Sequence, residues 1–320
     1  MTALSKLSKD ALHDEEAAFE YLEKTLWPDG PVCPHCGTVG NGTKFRAKEA
    51  KERTEGKRSA RMGLWKCNEK ECRKQFTVKV GTVFEHGRIP LHKMLQAVYL
   101  LCCSKKGCSS HQLHRVLGIT YKAAWFLSHR IREAMRTGGL APMGGDGGVV
   151  EVDETYIGRR EGVPKAIGSS HKNMVLTLVE RGGSARSFHM DGMAISDVMP
   201  ILRANIARES KVNTDEAKTY YDVGKEYAAH DAVNHGRYEY ARRTSDPRYV
   251  ISTNTVEGYY SIFKRGMKGV YQHCSEKHLH RYLAEFDFRY SNRVAVGVDD
   301  VARTTRALKG VVGKRLTYKS

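Results

Sequence analysis

The stretch Val149 to Gly158, VVEVDETYIG, constrains the fold of this chain more than any other. Val150 and Val152 alternate with Glu151 and Asp153 just after a glycine-rich break, which is the period-two pattern of a half-buried β-strand. Such a strand sets Asp153, with Glu154 beside it, on a rigid element, and a sheet-mounted carboxylate holds its geometry well enough to place a divalent cation. A surface strand with solvated acids has the same local pattern. The two readings part on whether the rest of the chain brings further carboxylates to the first.

Asn173 to Glu180 (NMVLTLVE) and Ala185 to Met190 (ARSFHM) read as two more strands around the turn Arg181-Gly182-Gly183, completing an antiparallel meander. Ser196 to Ala207 predicts a helix with Ser196 as its N-cap. The segment SKVNTDEAKTYYDVG predicts a short strand ending at Asp215 and then a helix. In an α/β sheet that places Asp215 at the carboxyl edge, where ligands bind.

STNTVEGYYSIFKRGMKGVY predicts an amphipathic helix capped by Thr255 or Ser252, with Glu257 in or near its first turn. Lys264 follows two helical turns later on the same face, with Ser261 between, while Tyr260, Phe263 and Met267 face the sheet. Asp153, Asp215 and Glu257 could together hold two Mg²⁺ (or Mn²⁺) ions about 4 Å apart for phosphodiester chemistry, with Lys264 meeting phosphate. Taken singly, Asp215 and Glu257 are equally a turn residue and a cap-region acid. The order strand, strand, helix in a strongly basic chain favours the catalytic reading.

Lysine and arginine number 53 against 36 aspartates and glutamates, a formal charge of +17. An excess of that size predicts a polyanionic partner, nucleic acid before an acidic membrane. The amino terminus lacks the apolar core of a secretory signal, and the run Met94 to Cys103 is interrupted by Gln96 and too short to span a bilayer. A membrane role is therefore not expected, and a cytoplasmic location is. Eight cysteines then read as metal ligands and buried thiols, not disulfides.

Residues 10–27 have helical apolar spacing (Leu12, Ala17, Phe19, Leu22, Leu26), closed by the turn Pro28-Asp29-Gly30-Pro31. Cys33 and Cys36 in CPHCG, and Cys67 and Cys72 in WKCNEKECRKQFTV, are two close pairs about thirty residues apart, the layout of a four-thiolate zinc ribbon. His35 is expected to be exposed. A unit this small needs its metal for stability. The basic stretch between the pairs, KFRAKEAKERTEGKRSAR, is either a solvated hairpin or a finger touching phosphates.

Leu91, Leu95, Val98, Leu101 and Cys102 form an apolar helical stripe. SSHQLHRVLGITYKAAWFLSHRIREAM then reads as helix, a turn at Gly118-Ile119-Thr120, and a second helix, the helix-turn-helix outline, although an ordinary helical hairpin has the same pattern. Thr120, Tyr121 and Lys122 at the start of the second helix, with Arg130 and Arg132 further along, are the candidate DNA contacts. Cys102, Cys103 and Cys108 read as packing residues. TGGLAPMGGDGG is a linker by composition. The expected organisation is a helix and zinc ribbon at 1–83, a helical region at 84–136, a linker at 137–148, and an α/β catalytic domain at 149–320 with a basic tail.

These blocks, together with TVFEHGRIPLHKMLQAVYLL, VNHGRYEYA and the run from NTVEGYYSIFKRG to RYSNR, resemble the zinc-ribbon DDE transposases of bacterial insertion sequences. The resemblance spans nearly the whole chain. It implies a ribonuclease-H-like fold, a mixed sheet flanked by helices, with catalytic carboxylates at Asp153, Asp215 and Glu257 and the accompanying basic residue at Lys264. It further implies cleavage at element ends and strand transfer into double-stranded target DNA by a dimer or larger assembly on the nucleoid. Lys264 and Arg265 would meet the DNA backbone, as would Arg303, Arg306, Lys309, Lys314, Arg315 and Lys319 in the tail. Arg159-Arg160 depart from the family pattern, where another glycine is frequent. Asn254 is an alternative ligand or substrate contact, and His235 either contacts DNA, orders the site or is a buried structural histidine. A nuclease or resolvase of the same fold, or a non-catalytic zinc-ribbon regulator, is the alternative.

Overall fold

The computed structural model describes residues 10–45, 62–216, 220, 225–246 and 249–316. The basic finger between the cysteine pairs (beyond Phe45), most of the helix expected after Asp215, and Lys319 lie outside those residues. The chain divides into two compact units.

The first unit comprises the segments up to Ser104, Cys108–Met135 and from Asp300 onward. Helix α1 (Glu15–Leu26) opens on Asp14, whose carboxylate accepts from the Ala17 amide at 2.7 Å. The ribbon follows as a three-stranded antiparallel sheet, β1 (Gly42–Lys44), β2 (Trp65–Cys67) and β3 (Gln75–Phe76). Glu23 of α1 joins helix to ribbon by accepting from Trp65 Nε1 and Lys44 Nζ, each at 2.9 Å. Helices α2 (Leu91–Cys103), α3 (Ser110–Leu117) and α4 (Tyr121–Met135) complete the helical part. Gly118, at φ +58°, ends α3, and the Thr120 hydroxyl accepts from the Ala123 amide at the start of α4. The helix-turn-helix outline is thus present as two helices joined by a glycine-bearing turn.

The second unit, Lys105–Gly107 with Arg136–Asp299, contains a five-stranded sheet. Its strands are β4 (Val149–Ile157), β5 (Asn173–Glu180), β6 (Ala185–Met190), β7 (Lys211–Asp215) and β8 (Ala229–Val233), in the order β6-β5-β4-β7-β8. β4, β5 and β6 pair antiparallel, while β7 and β8 run parallel to β4. Helix α5 (Ile195–Asn205) covers one face, where Val198 and Leu202 pack with Val150, Val152 and Leu176. On the other face, α6 (Asn254–Gly266) and α7 (Leu279–Ser291) bury Tyr260, Phe263, Leu283 and Phe286 against Val175 and Val179. Short strands β9 (Ala241–Arg243) and β10 (Val250–Ser252) form a separate antiparallel pair. This order and these directions make the unit a ribonuclease-H-like mixed α/β domain.

Three expectations change. The segment read as a linker reaches only to about Pro142, because Met143 is buried in the sheet core and its amide donates to Asn205 O. Gly144, at φ +74°, leaves no room for a side chain, since an added Cβ would lie 2.4 Å from Ser210 Oγ. The chain from Asp300 belongs to the first unit, where helix α8 (Asp300–Lys309) buries Ala307 and Leu308, so the compact second unit ends before the basic tail. Ser196 is inside α5, which starts at Ile195, and is not its N-cap.

Candidate functional site

Two groups of potential metal ligands converge among the described residues, one in each unit. In each, ligand atoms all lie within 4.8 Å of one another.

The first is Cys33, Cys36, Cys67 and Cys72. The first knuckle closes through Gly37 N–H to Cys33 O and Cys33 N–H to Thr38 O, both 2.9 Å, with Gly37 at φ +79°. In the second, the amides of Cys72 and Arg73 both donate to Glu69 O at 3.1 Å. The sulfurs of Cys33 and Cys72 are 3.7 Å apart, and those of Cys36 and Cys67 are 3.6 Å apart. Zinc held about 2.3 Å from each sulfur at the centre of a tetrahedron requires edges of about 3.8 Å. The donor set therefore fits zinc. The Thr38 hydroxyl and backbone hold the exposed Cys36 thiol down to about 6, toward the thiolate a metal needs, while burial pushes Cys67 up to about 12, so metal binding would have to displace the Cys67 proton. His35 is exposed and is not one of the four.

The second group is Asp153, Glu154 and Asp215. Its origin lies in the register of two parallel strands. β4 pairs with β7 through Glu151 and Asn213, and pairing stops there. Two residues further on, Asp153, midway along β4, and Asp215, at the end of β7, stand level where the two strands no longer bond to each other, which is where a parallel sheet opens a crevice. Glu154 would point to the opposite face of a flat strand. Here its carboxylate reaches the same gap, and Tyr220 donates to it at 3.1 Å. The Glu154 amide donates to Asp153 Oδ1 at 2.8 Å. Burial, then the charges of Glu154, Asp215 and Glu257, push Asp153 up to about 7. Burial and the Asp215 charge raise Glu154 as well. Clustered acids that resist ionising in the absence of a cation are a donor set suited to one, and hard oxygen ligands suit Mg²⁺ or Mn²⁺.

Glu257 lies on α6, near enough for its charge to act on Asp153, but outside the tight group of three. Its side chain is 46% exposed, 3.4 Å from His235 Nε2 and 3.2 Å from the hydroxyl of Thr253. His235 is thus half-buried against the helix bearing Glu257 and also meets Thr253 Oγ1 at 3.2 Å. Lys264 is half-buried, with Nζ 5.6 Å from the centre of the Tyr260 ring, and Asn254 and Arg265 are exposed. The participation of Glu154 was missed because strand alternation sends neighbours to opposite faces. The DE dipeptide within the strand was the available signal.

Glu151 was missed altogether as a structural element. It is fully buried, and it accepts from the amides of Thr255 and Val256, the Thr255 hydroxyl and Arg181 Nε. The expected local cap of α6 is replaced by a carboxylate from the sheet, while Thr253 precedes the helix without a side-chain cap.

In the first unit, Thr120, Tyr121 and Lys122 are exposed at the start of α4, with the Tyr121 ring 4.4 Å from that of His111. Arg130 and Arg132 are not available as DNA contacts. Arg132 is 1% exposed and donates to Ser128 Oγ, and Arg130 is buried over the Phe126 ring and donates to Glu85 O. Both lie past the first two turns of α4, where the helix is buried nearly all round. Arg303 is likewise buried, bonded to Cys102 O and Asp300.

Residues 146–291 match the model of the ISXO2-like transposase domain, and residues 13–75 match the transposase zinc-ribbon domain. The chain therefore carries a transposase zinc ribbon followed by an ISXO2-like transposase domain. A relative from Halobacterium salinarum, described as an uncharacterized protein in transposable element ISH50, is 26% identical over 296 residues, covering 86% of this chain and 90% of its own length. The transposase domain match contains Asp153, Glu154, Asp215 and Glu257, and the ribbon match contains all four clustered cysteines. No helix among the described residues of this transposase is long and apolar enough to cross a membrane.

Proposed function

We propose that the chain cuts phosphodiester bonds at the ends of a mobile DNA element and joins the freed ends to double-stranded target DNA. The observation that carries this reading is the meeting of Asp153 and Asp215, from separate strands, at the open edge of a transposase-type sheet. Asp153, Asp215 and Glu257 would hold two Mg²⁺ or Mn²⁺ ions, with Glu154 an added ligand candidate in the same gap. Ions so held would supply activation of the attacking oxygen and stabilisation of the leaving oxygen of a phosphodiester. Asp153, raised to about 7, is about half protonated near neutrality, so cation binding there would release a proton. His235 and Thr253 would orient Glu257, and Lys264 on the same helix would meet a phosphate.

Recognition of the element ends is assigned to the first unit, with zinc in the ribbon and Thr120, Tyr121 and Lys122 on α4. Lys264 and Arg265 would add backbone contacts, and so would the exposed Arg306, Lys309 and Arg315. Two ends brought together call for a homodimer or larger complex in the cytoplasm.

The test is incubation of the purified chain with duplexes carrying the inverted repeats that flank its gene and a supercoiled target plasmid, with Mg²⁺ or Mn²⁺. Joined products that vanish in Asp153→Asn and Asp215→Asn support the proposal. Cleavage without joining makes the chain a nuclease of this fold. Joining that persists in both variants overturns the site.

A further inference from the structure

The segment 235–243, HGRYEYARR, lies beside the carboxylate gap, and beyond His235 it takes no part in the chemistry proposed above. It begins at His235, which is 3.4 Å from Glu257, and it ends in β9, whose three residues are all exposed. Tyr238 is 83% exposed and Tyr240 is 55% exposed, among the largest apolar exposures in the described chain. The backbone holds Tyr238 there at a cost. Its φ is +61°, a left-handed conformation uncommon for a bulky side chain.

The turn that imposes this conformation is built. The Arg237 amide donates to Asn234 Oδ1 at 2.8 Å, the Tyr238 amide to His235 O at 3.0 Å, and the Glu239 amide to Asn234 O at 3.0 Å. The Glu239 carboxylate returns the tie by accepting from the Asn234 amide at 3.2 Å. The Tyr240 ring rests 5.5 Å from that of His235. Arg242 is fixed by Glu239 at 3.0 Å, and Arg237 and Arg243 are exposed next to it. The segment thus presents two tyrosine rings among three arginines and one glutamate, and it is tied directly to the residue that holds Glu257.

We infer that Tyr238 and Tyr240, flanked by Arg237 and Arg243, form a stacking platform for unpaired DNA bases next to the scissile phosphate. The chemistry selects that partner. Exposed rings among guanidiniums match a strand whose bases offer π-faces and whose backbone is anionic. In a paired duplex those faces are hidden by stacking, so the platform favours single-stranded or locally opened DNA. Cutting at an element end beside such a platform would act on DNA already melted by a few base pairs. The inference rests on the reading of this domain as one that processes DNA, and it adds which form of DNA the site takes.

The experiment measures binding of the full chain to a fluorescein-labelled 20-nucleotide oligo(dT) and to a labelled 20-base-pair duplex, in EDTA, by anisotropy. Without divalent metal the readout does not depend on the carboxylates, so failure of the cleavage assay and failure of this one are separable. Tyr238→Leu and Tyr240→Leu should each weaken oligo(dT) binding about 5- to 150-fold and duplex binding less than about twofold. Tyr238→Phe, which keeps the π-face, should bind oligo(dT) like the unaltered chain. Tyr238→Gly, which relieves the left-handed backbone, should unfold at or above the temperature of the unaltered chain and still lose single-strand affinity. Equal losses on both DNA forms, no loss on either, or equal behaviour of the Phe and Leu variants would overturn the platform.

Discussion

The carboxylate of Glu151, at the centre of the sheet, accepts hydrogen bonds from the backbone amides of Thr255 at 2.7 Å and Val256 at 3.0 Å. A negative charge fully buried in β4 therefore satisfies the amino-terminal amides of the helix that carries Glu257. Arg181 closes the arrangement, with Nε at 2.7 Å from the same carboxylate and its other nitrogens on Val250 O, Ser252 O and Ser252 Oγ. One residue of the central strand sets where the helix begins, and Asp153, two residues along, faces the same side.

Removing this carboxylate leaves a guanidinium and two helix amides without their buried acceptor. Glu151→Ala is expected to destabilise the chain by about 3–5 kcal/mol, and Glu151→Gln, which keeps an acceptor but not the charge, by about 1–3 kcal/mol. The exposed Glu209→Gln should stay within about 0.5 kcal/mol. Urea unfolding monitored by circular dichroism checks the order, and a Glu151→Ala variant as stable as Glu209→Gln would refute the clamp.

Asp153 sets a pH dependence whose sign follows from its raised value of about 7. The folded, metal-free chain binds this proton more tightly than the unfolded one, so the group's favourable contribution is present at low pH. It is lost as pH rises from about 4 through about 7. A bound divalent cation removes the penalty. The rise in unfolding temperature on adding Mn²⁺ should thus be larger at pH 8 than at pH 6. Asp153→Asn should be more stable than the unaltered chain in EDTA at pH 8, on the order of 1–3 kcal/mol, and the difference should close near pH 5. Equal metal shifts at both pH values would count against a shared cation.

The strands and the amphipathic helix were legible because their signals are local. Alternation fixed Val149–Ile157 and the meander, and the seven-residue step from Glu257 to Lys264 fixed a helix face. The cysteine pairs were legible because tetrahedral zinc restricts ligand spacing. What did not show was anything that depends on how separate segments meet. Glu151 reads as a half-exposed strand acid until α6 is laid over it, and Glu154 reads as pointing away until β4 and β7 part. Arg132 looks like a DNA contact by charge alone, yet the helix turns it into the core of the first unit. Met143 sits in a glycine-rich run whose composition says linker, while the groove it fills belongs to the fold.

The ribbon's small core makes its metal a condition of its fold. Among the described residues, Cys33, Cys67 and Phe76 are buried with Trp27, Trp65, Cys72 and Val80 packed around them. One zinc per chain is expected by elemental analysis, with substoichiometric zinc in Cys67→Ser. A strong chelator should raise the exposure of Trp27 and Trp65, whose rings meet edge-on at 6.0 Å, and shift tryptophan emission to the red. Retention of zinc by Cys67→Ser would mean that the four thiols are not its site.

The start of α4 and its buried arginines separate DNA affinity from stability. Lys122 is exposed beside Thr120 and Tyr121, so Lys122→Gln should weaken duplex binding about tenfold near physiological salt, lower the salt-dependence slope by about one, and leave unfolding unchanged. Arg132, 1% exposed and bonded to Ser128, should behave in the opposite way. Arg132→Gln is expected to cost about 2–4 kcal/mol of stability through the lost hydrogen bond to Ser128 and vacated volume, while the fraction that remains folded binds DNA with unchanged salt slope. Titration of both variants with the flanking inverted-repeat duplex at several salt concentrations distinguishes them, because a phosphate contact changes the slope and a core residue does not. If Arg132→Gln lowers the slope and Lys122→Gln does not, α4 meets DNA through a face that this fold keeps inside.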